Sequence, residues 1–330
     1  MLETLSQLVA ASSVVGASVA FVHGDRIEVA AAGCRDALRD LPVTVDTVFD
    51  VASLTKPLAA FAALQLADEG LLDLDQPVGE YTRMLVPDDA RAARITVRHL
   101  LSHTCGLQNI RGKEPLRMYF EPGAWFSYSS LGYMYLQLAL EARTGEPLED
   151  TIRRLVFDPL GMASSSLQWR AELAGNEAAP HEGGARLEPH RPPASNASYS
   201  LKTTAPDYGM FARAVLRGDR LRRSTWQQWL APTVMVPSGE IERLHAPPER
   251  TEPDIGWGLG WGVEPAAGTF FQWGKMTGMR SFVMGDLRRQ TALVVLTNSN
   301  TGLRLVAELV AGLLPGPHPS MRWLREGVTE

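Results

Sequence analysis

With 330 residues, 45% of them hydrophobic and 21% charged, the chain has the makeup of an ordinary globular protein, not of a disordered or fibrous one. A net charge of −5 without any basic run argues against nucleic acid as a partner. Two cysteines, Cys34 and Cys105, supply no disulfide framework, so both are expected as reduced, buried thiols.

The chain opens Met1-Leu2-Glu3-Thr4-Leu5, without the basic start and long apolar core of a secretory signal. No stretch reaches the roughly 18 apolar residues of a membrane span. Both features set the expectation of a cytoplasmic protein with no membrane partner. Residues 3–11 read as a helix, and residues 17–22 and 27–32 as two strands around a Gly24-Asp25 turn. Over residues 55–217 the patterning is mostly helical, at 58–71, 131–144, 148–157 and 206–216. Residues 177–196, with four prolines and two histidines, read as a loop. His181 and His190 lie near Glu182 and Glu188 there, but the set matches no metal-ligand spacing. Arg217, Arg220, Arg222 and Arg223 read as a solvated helix end. Residues 231–254 hold Pro232, Pro237, Pro247, Pro248 and Pro253 and read as a second loop near the cleft. Residues 268–273, 279–284 and 291–296 read as three strands, and 303–314 as a closing helix. Strands at both ends with helices between predict an α/β (α+β) fold, an antiparallel sheet of N- and C-terminal strands flanked by helices, with an inserted helical lobe. The sheet part is expected over about 1–54 and 218–330 and the lobe over about 55–217, in a single domain.

The run Phe49-Asp50-Val51-Ala52-Ser53-Leu54-Thr55-Lys56-Pro57 contains Ser-x-x-Lys. Its apolar beginning gives way to an Ala/Leu-rich helical segment. Ser53 then falls in the first turn, where exposed N–H groups favour developing negative charge. A spacing of three stacks Ser53 and Lys56 on one helix face, about 5–6 Å apart at Cβ. A hydroxyl is a poor nucleophile at its free pKa and needs such a neighbour. Taken alone, the pair is also what an N-cap serine followed by a solvated lysine would give.

Ser-x-x-Lys is the nucleophile motif of penicillin-binding proteins and serine β-lactamases, and four later segments extend the likeness. Residues 97–107, Val-Arg-His-Leu-Leu-Ser-His-Thr-Cys-Gly-Leu, are similar to the pattern T-x-x-x-L-L-x-H-T-S-G-L. Residues 122–133 are similar to P-G-x-x-F-x-Y-S-N-x-G-Y, residues 157–162 to F-x-P-L-G-M, and residues 256–261 to Y-G-L-G-W. In this order, from about residue 14 to 313, the chain resembles the β-lactamase-related serine hydrolases: class C β-lactamases, D-alanyl-D-alanine peptidases and similar esterases. The resemblance implies one catalytic domain spanning the chain, residues 1–330, and no cofactor.

By that resemblance Ser53 is the nucleophile, Lys56 its neighbour and Tyr128 the tyrosine over it. A phenol is a weak base at neutral pH unless cations stabilise its anion. An ammonium at about 4 Å, at an effective dielectric near 20, interacts by roughly 4 kcal/mol, so Lys56 is expected to draw Tyr128 toward neutrality. Ser130 stands where the family has asparagine and lacks the amide that reaches lysine and substrate together. The family's edge-strand Lys/His-Thr-Gly is altered as well. Counting back from Asp286 and Asn298 puts Lys275, Met276 and Thr277 on the three positions, while a one-residue slip pairs Thr277-Gly278 with the motif. Lys275 would then be a second cation beside Tyr128 or a grip for a substrate carboxylate. The oxyanion donors are expected to be the Ser53 N–H and an N–H within residues 277–279. Cys105 stands where relatives carry a small residue. Tyr119, Phe120, Trp125, Trp257 and Trp261 line the cleft or fill the core.

The leading expectation is a serine acyl-hydrolase forming an acyl-enzyme on Ser53, carboxylesterase-like toward small-molecule esters or amides. An acyltransferase or amide-forming enzyme, a β-lactamase or D-alanyl peptidase, and a non-catalytic binding protein remain the alternatives.

Overall fold

The computed structural model describes residues 2–327; Met1 and the last three residues lie outside them. In chain order come α1 (Leu2–Ala11), β1 (Gly16–His23), β2 (Arg26–Asp36), β3 (Leu41–Pro42), β4 (Phe49–Asp50), α2 (Thr55–Asp68), α3 (Val97–Leu101), α4 (Ser130–Thr144), α5 (Leu148–Ile152) and α6 (Asp158–Leu160). Then follow β5 (His181–Glu182), β6 (Ala185–Arg186), β7 (Lys202–Thr203), α7 (Ala205–Arg217), α8 (Arg223–Trp229), β8 (Val234–Pro237), β9 (Thr251–Trp257) and β10 (Gly262–Glu264). The last elements are β11 (Thr269–Met276), β12 (Met279–Asp286), β13 (Thr291–Thr297), α9 (Gly302–Leu313) and α10 (Pro319–Gly327).

The main sheet is antiparallel, in the order β3-β2-β1-β13-β12-β11-β10-β9-β8. Strand β1 pairs with both β2 and the far C-terminal β13, with Ala17 opposite Thr297 and His23 opposite Thr291. Side chains alternate across a strand, and here the alternation feeds two cores. Ala17 and Val19 of β1 with Leu293 and Val295 of β13 meet Leu5 of α1 and Leu305 of α9 on one face. Ala20 and Val22 with Val294 and Leu296 meet Tyr208 and Phe211 of α7 on the other. Both faces are covered, so these strands read as unbroken apolar runs. Each such Val or Leu contributes about 1.5–3 kcal/mol when fully buried.

The architecture is the expected one, with four differences of detail. Residues 231–254 are not simply a loop, because β8 and the start of β9 extend the sheet there. Pro237 is accommodated beside a register shift between Met235 and Pro237. Helix α7 falls within the stretch read as the lobe, yet it packs on β1 and β13. The predicted helix 148–157 widens into a π-turn at Arg153–Phe157. Cys105 is buried, but Cys34 is only half-buried. Among the described residues, no helix is long and apolar enough to cross a membrane.

Candidate active site

Strand β4 runs into a single 3₁₀ turn, Ala52–Leu54, just ahead of α2. Ala52 has φ +47°, a left-handed conformation costing about 1–2 kcal/mol for a residue with a Cβ. The surroundings impose it. The Ala52 N–H donates to Asp50 Oδ1 at 3.2 Å, and Thr55 Oγ1 donates to the Ala52 carbonyl at 2.6 Å. Ser281 Oγ of β12 donates to the Val51 carbonyl at 2.8 Å, and Tyr208 Oη of α7 to the Leu54 carbonyl at 2.9 Å. Strain held by neighbours from several elements is typical of a functional turn. Ser53 projects from it, half-buried, into a cleft of about 1000 Å³.

Lys56, one turn along, is fully buried. Its Nζ lies 3.0 Å from Ser53 Oγ, 3.2 Å from Ser130 Oγ and 2.9 Å from the Ser198 carbonyl. No carboxylate stands among these partners, and burial pushes the amine well below its ordinary 10.5. Ser130 thus reaches the lysine with its hydroxyl although it lacks asparagine's amide. Tyr128 faces the same point from the lobe, its ring centroid 4.8 Å from Lys56 Nζ. Burial raises the phenol well above 10, against smaller lowering contributions from Ser53 and Gln272. This corrects the expectation that Lys56 draws Tyr128 toward neutrality: removing water works on both groups in the direction of neutral amine and neutral phenol.

His103 clamps Tyr128 on three sides. Its carbonyl accepts from the Ser127 N–H at 2.8 Å, and its Nδ1 accepts from the Ser129 N–H at 3.0 Å. Its ring stacks on the phenol, centroids 4.2 Å apart. Burial holds this imidazole well below its usual range, first through desolvation and then through Lys56, so it stays neutral.

Strand β11 forms the opposite wall. Strand β10 pairs with it only as far as Phe271, which leaves the edge beyond open to the cleft. Gly274 sits against the Ser53 turn so closely that a Cβ there would lie 2.2 Å from the Val51 carbonyl oxygen and 2.2 Å from Ser281 Oγ. Only glycine fits. Gln272 and Trp273 precede it, with Gln272 near the Tyr128 phenol and the Trp273 ring 5.2 Å from that of Tyr128. This differs from both predicted registers. Thr277 and Gly278 form the two-residue turn between Met276 and Met279, Gly278 with φ +70°, so neither can lie along the strand. Lys275 and Thr277 are exposed and Met276 half-buried on the cleft wall, which all four residues line. The stretch pressed against Ser53 is Gln272-Trp273-Gly274.

Alternation of the antiparallel ladder, counted from that turn, aims the Trp273 and Lys275 N–H groups away from β12. In accord with this, the Trp273 N–H donates to Gln272 Oε1 at 3.0 Å. The strand N–H that faces the cleft near Ser53 is therefore that of Lys275, upstream of the predicted 277–279.

Gly274→Val is expected to destroy the site. The added side chain must displace the Ser53 turn, and a misplacement of about 1 Å costs roughly 100-fold in rate. Overpacking of this kind also costs about 1–3 kcal/mol of stability. Circular dichroism melting and ester hydrolysis rates check it; a parent-like rate would contradict the close approach.

Other expectations resolve simply. Trp257 and Trp261 are fully buried core and Phe120 is buried, while Tyr119 and Trp125 are half-buried outside the cleft lining. The aromatic lining is Tyr128, Trp273 and Tyr199. His181 is buried, with Nε2 accepting from the Ala37 N–H and Nδ1 3.2 Å from the Asn298 carbonyl, a structural role. Among the described residues no cluster of His, Cys, Asp and Glu could hold a metal. Sequence reasoning missed buried Lys202, which lies between Glu177 (2.9 Å) and Asp50 (3.5 Å) and ties the loop before it to β4.

The Beta-lactamase family model matches residues 2–312, and the chain belongs to that family. It is 32% identical over 171 residues to "Esterase EstB" of Burkholderia gladioli, covering 42% of this chain and 43% of that protein. It is 33% identical over 198 residues to "Penicillin-binding protein 4" of Amycolatopsis lactamdurans, covering 54% and 52%. The chain thus spans about half the length of these curated relatives. Among solved structures it is similar to the octameric penicillin-binding protein homologue of Pyrococcus abyssi, with TM-score 0.79, 20% identity and 98% and 78% of the two chains covered. A class C β-lactamase superposes with TM-score 0.77 at 20% identity, covering 96% and 97%. The fold is shared with both.

Proposed function

We propose that this member of the Beta-lactamase family is a carboxylesterase-like serine acyl-hydrolase acting on small-molecule esters. The observation that carries this reading is the buried Lys56 amine 3.0 Å from Ser53 Oγ with no carboxylate to keep it charged. As a neutral amine, Lys56 donates to the Ser198 carbonyl and to Ser130 Oγ, and its lone pair accepts the Ser53 proton. Ser53 attacks the ester carbonyl, and the Ser53 and Lys275 N–H groups receive the oxyanion. Tyr128 hands its phenolic proton to the departing alkoxide and is reprotonated from the Lys56 ammonium. Water then attacks the acyl-enzyme by the same steps in reverse.

Ester preference over β-lactams and D-alanyl peptides follows from two substitutions. Ser130 offers a hydroxyl where an amide would grip the substrate amide, and Gln272-Trp273 puts a neutral side chain and a bulky ring where the family carries Lys/His-Thr. Ile110, Met134 and Ile241 beside Tyr199 and Trp273 suit an apolar acyl or aryl group. The expected result is a kcat/KM for p-nitrophenyl butyrate at least about tenfold above that for any penicillin, given that an unpaired buried polar group costs about 1–3 kcal/mol. A penicillin turned over better than the ester would reverse the assignment.

A further inference from the structure

Two polar groups in the site lack a hydrogen-bond partner although both are buried: Tyr128 Oη and Gln272 Nε2. They belong to facing side chains. Gln272 has its orientation fixed, because its other amide atom, Oε1, accepts the Trp273 N–H at 3.0 Å. An oxygen must stand at that position, since an NH₂ group would meet a donor there. The NH₂ end is therefore directed elsewhere, and Gln272 is fully buried, so no solvent satisfies it. The Tyr128 ring, for its part, is held by the His103 stack, by the Trp273 ring and by the bond from its own N–H to the Ile241 carbonyl at 2.8 Å.

We infer that Gln272 is a positioning residue for the proton-transfer step: its Nε2–H donates to Tyr128 Oη as that oxygen gives up its proton. The inference rests on the serine-hydrolase reading above. In the resting enzyme the two atoms lack a hydrogen bond of good geometry, and Gln272 lowers the phenol only slightly against the effect of burial. Once the proton has gone to the departing alkoxide, the phenolate oxygen is a strong acceptor in a water-poor site. A bond to a charged oxygen is worth about twice one to a neutral oxygen. The donor is thus used mainly while charge sits on Tyr128, which is the condition for accelerating a step and not merely binding substrate. Gln272 brings no charge, so it does not pull the resting phenol toward ionisation as a cation would. Tyr128 remains a competent acid at neutral pH, and the amide lowers the barrier for its use. The proton balance closes without an outside partner: Ser53 to Lys56, Tyr128 to the alkoxide, Lys56 back to Tyr128.

The test separates this role from simple support of the strand. Gln272→Met removes donor and acceptor. Gln272→Glu keeps an oxygen for the Trp273 N–H but sets an acceptor in place of the donor. Each is assayed on two esters of one acid, a p-nitrophenyl ester, whose leaving group needs little protonation, and an ethyl ester, whose leaving group needs it fully. The loss in kcat is expected to be about tenfold greater for the ethyl ester in both variants, on the scale of one charge-assisted bond, with KM nearly unchanged. In a Tyr128→Phe background neither substitution should cost anything further. Equal losses on the two esters, or losses that multiply with that of Tyr128→Phe, overturn the inference. So does a Gln272→Glu enzyme that behaves as the parent, which would leave only the cap on Trp273. Titration of the parent with a fluorophosphonate tells the two levels apart. An unlabelled Ser53 overturns the hydrolase reading and Gln272's role together, whereas a labelled Ser53 with leaving-group-independent losses overturns Gln272's role alone.

Discussion

Ser53→Ala is expected to abolish both covalent labelling and turnover while the protein stays folded. Removing a catalytic nucleophile costs on the order of 10⁶-fold in kcat where the rest of the machinery cannot substitute. Ser130 touches the same lysine at 3.2 Å, but it caps no strained turn and does not inherit the position over the Lys275 N–H. The fold should tolerate the change. The left-handed Ala52 is held by Asp50, Thr55, Ser281 and Tyr208, none of which depends on the Ser53 hydroxyl. Intact mass after exposure to a fluorophosphonate, with a melting curve alongside, checks both halves. Label retained by the alanine variant would move the nucleophile elsewhere.

Lys56 and Tyr128 are expected to act as one unit. Each single loss, Lys56→Ala or Tyr128→Phe, should lower kcat/KM by about 10²–10⁴-fold, the range for a positioned acid or base, and the double variant should be no worse than the poorer single. The pH profile carries the assignment further. Activity needs the amine neutral, so the rate should rise with pH through the pKa of Lys56. Burial has moved that pKa down from 10.5, bringing the limb toward working pH. The fall at high pH should come only when Tyr128 ionises, above the ordinary phenol value. Lys56→Arg retains a cation yet supplies no base, because guanidinium does not deprotonate in this range, and it should be as inactive as Lys56→Ala. An active arginine variant would make the role of Lys56 electrostatic. A double-variant loss equal to the product of the singles would uncouple the pair.

The meeting of Ser53, Lys56 and Tyr128 was legible because the signals for it are local. The three-residue spacing of Ser53 and Lys56 is a helix-face geometry, and Tyr128 lies in a stretch dense with matching residues. The third wall was not legible in register. Its polar identities have changed to Gln272 and Trp273, so counting from Asp286 and Asn298 had nothing to lock onto and settled three residues late. One signal was present: Gly274 interrupts an otherwise bulky strand, and a glycine there marks close backbone approach, which the 2.2 Å clearance to Val51 bears out. Strands β8 and β9 were hidden by their prolines: Pro237 ends the edge strand β8, and Pro253 falls within β9 where the pairing with β8 is irregular. The aromatics could not be divided between cleft and core because only the tertiary fold decides which face of a strand is inward. Trp257 turns to the core, and Trp273 turns to Tyr128.

The pairing of β1 with β13 has a consequence for the order in which the molecule can be made. On the ribosome the β1–β2 hairpin emerges early, yet the open side of β1 must wait for residues 291–297 before it is covered. The Ser53 turn is likewise unfinished until Ser281 arrives to bind the Val51 carbonyl and Gly274 closes on it. Strand β1, already paired with β2, therefore finds its second partner only after residues 37–290 have been made. Non-local pairings of this kind fold slowly and leave apolar edges exposed meanwhile. The Ser53 turn is thus assembled only once residues 274–281 have joined the sheet.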